Sequence, residues 1–468
     1  MAVVKKILIL CAGIFIAGVS SVCSWGDPSP LPIHEAYAPV KFLPDDRILI
    51  LAPHPDDEML ACAGVIQEAA KRGLPVRIVF LTYGDNNQWS FLLYRKHPVL
   101  MPKAVQGMGL LRHDEAIAAA GKLGLSASQL TFLGYPDFRT LEIWRSHWDD
   151  SPPEESMLTH VNAVPYANAL RPGALYKGDE VLKDIETVMR EFKPTKIFVS
   201  HPFDHNPDHQ SLYLFTKVAL WDMEGVINPV VYPYLVHYVN WPQPVKFDPL
   251  ENLTPPAFLK DSVQWQGLDL SPEEVANKHE ALKEHRSQYQ SSTRYLRLFI
   301  RANELFGDYP VVHLKEATAA RPLVEARGPD FNKVFDQLLE EEKASFVGVE
   351  STFVGLENRE LIFTVRLSRP LGKAVGLSIF AFGYKKDMEF SRMPKIHIQF
   401  GALEHAVLDQ NKRVDAKDVH IIRKAKDIVI RIPLKLLGDP DRVLTSAKTY
   451  IGNVPLDWVA WRVLQLSD

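Results

Sequence analysis

The chain has 468 residues, 46% of them hydrophobic and 24% charged, and a formal net charge of −4. That length exceeds what a single hydrophobic core usually serves, so two domains are expected. The mild acidity argues against a nucleic-acid partner, which would call for a basic face, and no repeat period points to a solenoid.

Lys5 and Lys6 precede an unbroken apolar run over residues 7–19, and Ser20, Ser21 and Ser24 follow. The run is shorter than the roughly 20 residues of a membrane span. Residues 1–24 therefore read as a cleaved secretory leader, with no stable membrane span after its removal, and the chain as exported to the periplasm or beyond; an uncleaved membrane anchor is the alternative. Residues 25–45 are proline-rich (Pro28, Pro30, Pro32, Pro39, Pro44) and read as a linker or wrapping arm. Loss of the leader leaves Cys62 as the single cysteine, on the apolar face of a helix, where it reads as core.

Residues 47–52 read as a buried strand, 58–72 as a helix closed by Gly73, and 76–82 as the next strand. Such a crossover makes the strands parallel. The alternation continues with a helix over 111–123, a strand over 130–133, an amphipathic helix over 178–192, a strand over 195–200 and a helix over 208–220. Residues 140–177 lack a period and read as a loop over a site. One long helix is expected from Ser271, with Glu274 completing a capping box, to beyond Gln288. This pattern predicts a Rossmann-like three-layer α/β domain with a mostly parallel sheet over residues 46–315. Short strand-like runs without helices follow at 361–367, 375–382, 396–400 and 458–464, and 419–432 reads as a hairpin. They predict a β-sandwich over 331–468 after a linker at 316–330. Its aromatics, Phe380, Phe382, Tyr384, Trp458 and Trp461, read as core, with stacking on sugar rings as the alternative.

The chemistry concentrates at two strand ends. Strand 47–52 runs into Pro53-His-Pro-Asp-Asp-Glu58, and strand 195–200 into His201-Pro-Phe-Asp-His-Asn-Pro-Asp-His209. In parallel sheets the carboxyl ends of the strands face the ligand crevice. His54 and Asp57 sit three apart in a turn and can face one ion, and His209 reaches it from the second strand. Two histidines and one carboxylate form a usual catalytic zinc set that leaves room for water. Asp56, beside a ligand, is suited to accept that water's proton, and Asp208 to orient an imidazole or amide. Helix N-capping accounts for one or two of these acids, but not for both clusters. Glu58 reads as a helix-stabilising acid.

Ala52-Pro-His-Pro-Asp-Asp-Glu58 closely resembles the signature of the PIG-L (LmbE-like) family of zinc-dependent de-N-acetylases. Thr82-Tyr-Gly-Asp85, Arg112-His-Asp-Glu115, Leu133-Gly-Tyr-Pro-Asp137 and the helix from Lys278 to Gln288 are similar to further family motifs, so the resemblance covers about residues 46–288. It implies one Zn2+ held by His54, Asp57 and His209, Asp56 as general base, and Arg112 and Asp137 as contacts to sugar hydroxyls. It also implies removal of an N-acetyl group from a GlcNAc-containing substrate. Rival readings are an amidase acting on a larger N-acyl or thiol-conjugate substrate and a glycan-binding protein without turnover. Asp85 is placed at the pocket mouth, Trp89 in the core with the pocket mouth as the alternative, and His285 on a polar, exposed helix face within reach of substrate. Where many members of the family have histidine, this chain has Asn206. Its amide can donate to an oxyanion but cannot deliver a proton, which leaves Asp56, His205 or His285 to protonate the leaving amine.

Overall fold

A computed structural model describes residues 37–87, 101–324, 339–372, 374–401, 405–452 and 454–467. The predicted leader, the first part of the arm, Trp89 and the end of the predicted linker lie outside the described residues. Among the described residues no helix is long and apolar enough to cross a membrane.

The first half is built on five parallel strands: β1 (Ile48–Ala52), β2 (Val76–Thr82), β3 (Leu130–Tyr135), β4 (Lys196–Ser200) and β5 (Val230–Tyr234). Their order is β3-β2-β1-β4-β5. Every residue of β1 and β4 is buried, as their continuous apolar runs require. The chain steps outward from β1 to β3, then returns to lay β4 on the other side of β1. The order therefore reverses between β1 and β4, and the two histidine-bearing turns leave the carboxyl ends of these neighbouring strands.

Helices α1 (Asp57–Lys71), α2 (Pro102–Lys122), α3 (Thr140–Ser146), α4 (Gly178–Phe192) and α5 (Pro207–Asp222) connect these strands and follow them. Asp57 and Glu58 occupy the first turn of α1, where the helix dipole favours negative charge. Three expectations are corrected. Helix α2 begins at Pro102, so Arg112 lies mid-helix rather than at a helix start. Residues 140–177 are not one open loop: they begin with α3, and Trp144 and Trp148 are fully buried. The long helix expected from Ser271 is two helices, α6 (Pro272–Leu282) and α7 (Arg286–Leu296). The capping box at Ser271 and Glu274 is present. The break comes at His285, whose ring turns inward onto Glu58 (2.8 Å), while Glu115 accepts bonds from the Ser287 amide and hydroxyl and fixes the start of α7.

Mostly antiparallel strands form the second half. One sheet of five contains Thr318–Val324, Val349–Glu357, Glu360–Leu367, Asp427–Pro433 and His420–Lys424, and it faces a sheet of eight centred on Val375–Tyr384 and Arg442–Ile451. The expected hairpin turns between Lys424 and Asp427. Thr318–Val324 is a strand of the first sheet, which corrects the linker reading there: its backbone pairs with Val349–Glu357. Val375–Tyr384 is buried on both sides. Leu377, Ile379 and Ala381 enter the core between the sheets, whereas Phe380, Phe382 and Tyr384 join the core of the α/β half. Trp144 of α3 stacks on Phe382 and Phe390 there, at 5.9 and 5.3 Å between ring centroids. None of the five aromatics weighed for sugar stacking is exposed: Trp458 is half-buried against His205, at 4.8 Å, and the others are buried.

Helix α1 is anchored by a buried ion pair. Glu304, on strand Asn303–Asp308, lies 2.8 Å from Lys278 of α6 and accepts from the amides of Gly64 and Val65. A Cβ on Gly64 would stand 2.9 Å from the Glu304 carboxylate, so the close approach requires glycine. Replacing Glu304 by Gln strands a buried ammonium. Urea unfolding is expected to show a loss of about 3–5 kcal/mol, largely recovered when Lys278→Met is added. A loss near zero for Glu304→Gln alone would show that the pair does not anchor α1.

Candidate metal centre

His54 and Asp57 lie in the turn from β1 into α1, and His209 in the first turn of α5 after β4. His54 Nδ1 is 3.2 Å from Asp57 Oδ2, and His209 Nε2 is 3.1 Å from the same oxygen. The three side chains are buried. With His237, which sequence reasoning did not single out, they offer ligand atoms all within 4.8 Å of one another. Neither ring nitrogen of His209 makes an aligned hydrogen bond despite full burial. Borderline nitrogen donors beside one carboxylate, with those of His209 lacking aligned bonds, fit a divalent transition ion.

The far nitrogens are held by carboxylates, which sets each ring's orientation. His54 Nε2 lies 3.1 Å from both Asp208 Oδ2 and Asp137 Oδ1. Asp208 in turn accepts from the Phe138 amide and from the Thr140 amide and hydroxyl. His209 Nδ1 lies 3.1 Å from Asp204, whose oxygens also accept from the amides of Asn206, Val236 and His237. Asp204 and His237 were missed. Asp204 carried a readable signal, being five residues ahead of His209 in the same turn. His237 carried none, since it lies three residues past β5 in a run with no motif.

Burial raises the Asp56 carboxyl to about 6, although the Arg112 guanidinium pulls it down. Burial works against charge on His209, but Asp204 and Asp57 outweigh it and raise the imidazole to about 9. His54 is likewise raised despite burial, chiefly by Asp137. Asp57 stays well below the usual carboxylate range, because His209 outweighs its burial. Burial and the nearby Asp137 carboxylate lift Asp85 to about 7.

Several expected contacts to substrate turn inward instead. Arg112 is 3% exposed and donates to the carbonyls of Gly84 and Pro55 and, at 3.3 Å, to Asp56 Oδ1. Glu115, three residues on and on the same helix face, reaches α7. The Arg-x-x-Glu pair thus ties the turns after β1 and β2 to α7. At Gly84, with φ +63, a Cβ would stand 2.1 Å from the guanidinium. Asp137 is buried, accepts from the Asn86 amide, and points its Oδ1 at His54 Nε2, 3.1 Å away. Asp85 is buried and accepts from the Tyr166 hydroxyl. His285 is fully buried on Glu58, not exposed, because Glu58 and Asp56 hold its proton. Asn206 is the N-cap of α5: its Oδ1 accepts from the Asp208 amide. The ring brought beside His209 is that of His237, at 4.7 Å between centroids.

A metal ion must displace the proton that Asp204 and Asp57 hold on His209. That proton stabilises the metal-free fold fully below pH 6.5, and its contribution fades as pH rises through about 9. Affinity for a divalent ion such as Zn2+ is therefore expected to rise with pH between 6.5 and 9, with proton release seen by calorimetry in buffers of different ionisation enthalpy. Asp204→Asn is expected to weaken binding by about 10–100-fold. An affinity independent of pH, or unaffected by Asp204→Asn, would contradict this account.

The profile of the PIG-L family, described as GlcNAc-PI de-N-acetylase, matches residues 49–220. A 1D-myo-inositol 2-acetamido-2-deoxy-α-D-glucopyranoside deacetylase from Mycobacterium sp. (strain KMS) is 26% identical over 177 residues, which is 37% of this chain and 50% of that protein. Its counterpart from Saccharopolyspora erythraea is 28% identical over 186 residues, covering 39% and 56%. The chain thus spans about half the length of the curated relatives it matches. Among solved structures, an N,N'-diacetylchitobiose deacetylase from Pyrococcus horikoshii aligns over 52% of this chain and 70% of its own, at 18% identity and a TM-score of 0.32. Both metal-facing turns, from His54 to Asp57 and from His201 to His209, fall inside the matched span, and residues 49–220 form a PIG-L family domain.

Proposed function

We propose that the protein is a zinc-dependent hydrolase that removes the N-acetyl group of an amino-sugar substrate. The observation that carries this reading is the convergence of His54, Asp57 and His209 at the reversal of strand order, with the raised carboxyl of Asp56 beside them. Support for the acetamido sugar comes from the PIG-L match and from the matched relatives, which are named as deacetylases of a 2-acetamido-2-deoxyglucopyranoside.

A divalent ion at this site supplies Lewis acidity, which polarises an amide carbonyl and acidifies water. The chain supplies the rest. Asp56 takes a proton from the attacking water and returns it to the departing nitrogen, so that water and amide become acetic acid and amine, with one C–O bond formed and one C–N bond broken. A carboxyl near 6 suits both transfers near neutral pH. Arg112 fixes the Asp56 carboxylate and the carbonyl of the preceding residue, holding the base in place. Asp208 and Asp204 orient the two histidines. We also propose export, on the strength of the leader-like residues 1–24.

Acetate release from N-acetylated chitooligosaccharides is expected, and Asp56→Asn is expected to reduce kcat by about 100-fold or more. The acid limb of kcat/KM is expected near pH 6. Arg112 lowers the Asp56 pKa, so Arg112→Gln is expected to move that limb to higher pH, while Arg112→Lys keeps it near wild type. Zinc-loaded protein that binds such glycans and frees no acetate would overturn this reading.

A further inference from the structure

Phe138 occupies a backbone conformation that the hydrogen bonds of its loop impose and that a bulky side chain disfavours. Its φ is +62, in the left-handed region that glycine enters freely and a bulky side chain does not. The loop is fixed on both sides. The Phe138 amide donates to Asp208 Oδ2 at 2.6 Å, Asp137 is held by the Asn86 amide, and Thr140 donates twice to Asp208. These bonds hold the backbone whatever side chain stands at 138, and glycine would serve them with less strain. The position instead carries a large aromatic side chain that is 41% exposed. Its ring centroid lies 6.2 Å from that of His54, with the planes tilted by 32°. Backbone strain is kept where it serves a site, and this strained residue stands beside a histidine of the metal set.

We infer that Phe138 is a substrate platform: its ring stacks on the apolar C–H face of the pyranose that bears the reacting N-acetyl group. The inference rests on the hydrolase reading above and adds how a sugar-borne amide is chosen over an acyclic one. The acetyl group is small enough to sit against the His54, Asp57 and His209 cluster while the hexose covers the neighbouring ring. Asp137 and Arg112 are buried and face groups of the protein, which leaves this ring as the exposed contact that reads the sugar's face.

The test compares Phe138→Ala, Phe138→Gly and Phe138→Tyr with wild type on diacetylchitobiose and on the acyclic amide N-acetylethanolamine. Melting temperature and calorimetric binding of diacetylchitobiose are measured on the same zinc-loaded preparations. In the Ala and Gly variants the ratio of kcat/KM for sugar over acyclic amide is expected to fall about tenfold, through KM for the sugar. Tyr is expected to restore it. Gly is expected to raise the melting temperature while binding worsens, a combination that a merely structural residue would not produce. An unchanged ratio in Phe138→Ala overturns the platform. If wild type frees no acetate from either compound, the hydrolase reading fails by itself and calorimetry decides for Phe138: weaker diacetylchitobiose binding in Phe138→Ala supports the platform, and equal or absent binding in both proteins overturns it.

Discussion

One carboxylate oxygen, Asp57 Oδ2, stands within 3.2 Å of imidazole nitrogens that come from two different strand ends. Bringing these three polar groups together in a buried site carries a desolvation cost, which is tolerable only if each group has a charge partner or a shared ion. The surroundings meet that condition one by one. Asp208 and Asp137 face the outer nitrogen of His54, and Asp204 faces that of His209. The parallel sheet makes the meeting possible, because only the reversal of strand order between β1 and β4 places the two turns side by side.

The same constraint explains why the second half of the chain packs where it does. Asp208 is held by the amide and hydroxyl of Thr140, the first residue of α3. Trp144, one turn along α3, is sealed between Phe215 of α5 and the rings of Phe382 and Phe390 from the sandwich half. On the same turn, Trp458 of the sandwich packs edge-on against His205, next to the cap of α5. Aromatic contacts therefore run from the sandwich to the turn that carries His209, one directly at His205 and one through α3. The sandwich aromatics act as a brace for the site.

Much of the site was legible because its residues are local in sequence. His54, Asp56 and Asp57 share one turn, and the apolar run before them marks a buried strand whose carboxyl end they must occupy. Arg112 and Glu115 were legible as residues but not as roles. A sequence shows an arginine followed three residues on by a glutamate, not that its guanidinium is enclosed by Gly84 and Pro55. His285 failed for the related reason that its partner, Glu58, is 227 residues away. His237 failed because tertiary folding alone brings it to the cluster. The long helix expected from Ser271 broke where a side chain from elsewhere intervened, as Glu115 does at the start of α7.

Anomalous diffraction from crystals grown with Zn2+ tests the central claim most directly. The account predicts one ion per chain, about 2.0–2.3 Å from His54 Nδ1, an Asp57 oxygen and His209 Nε2. An ion bound elsewhere, with these three side chains still joined only to one another, would contradict it.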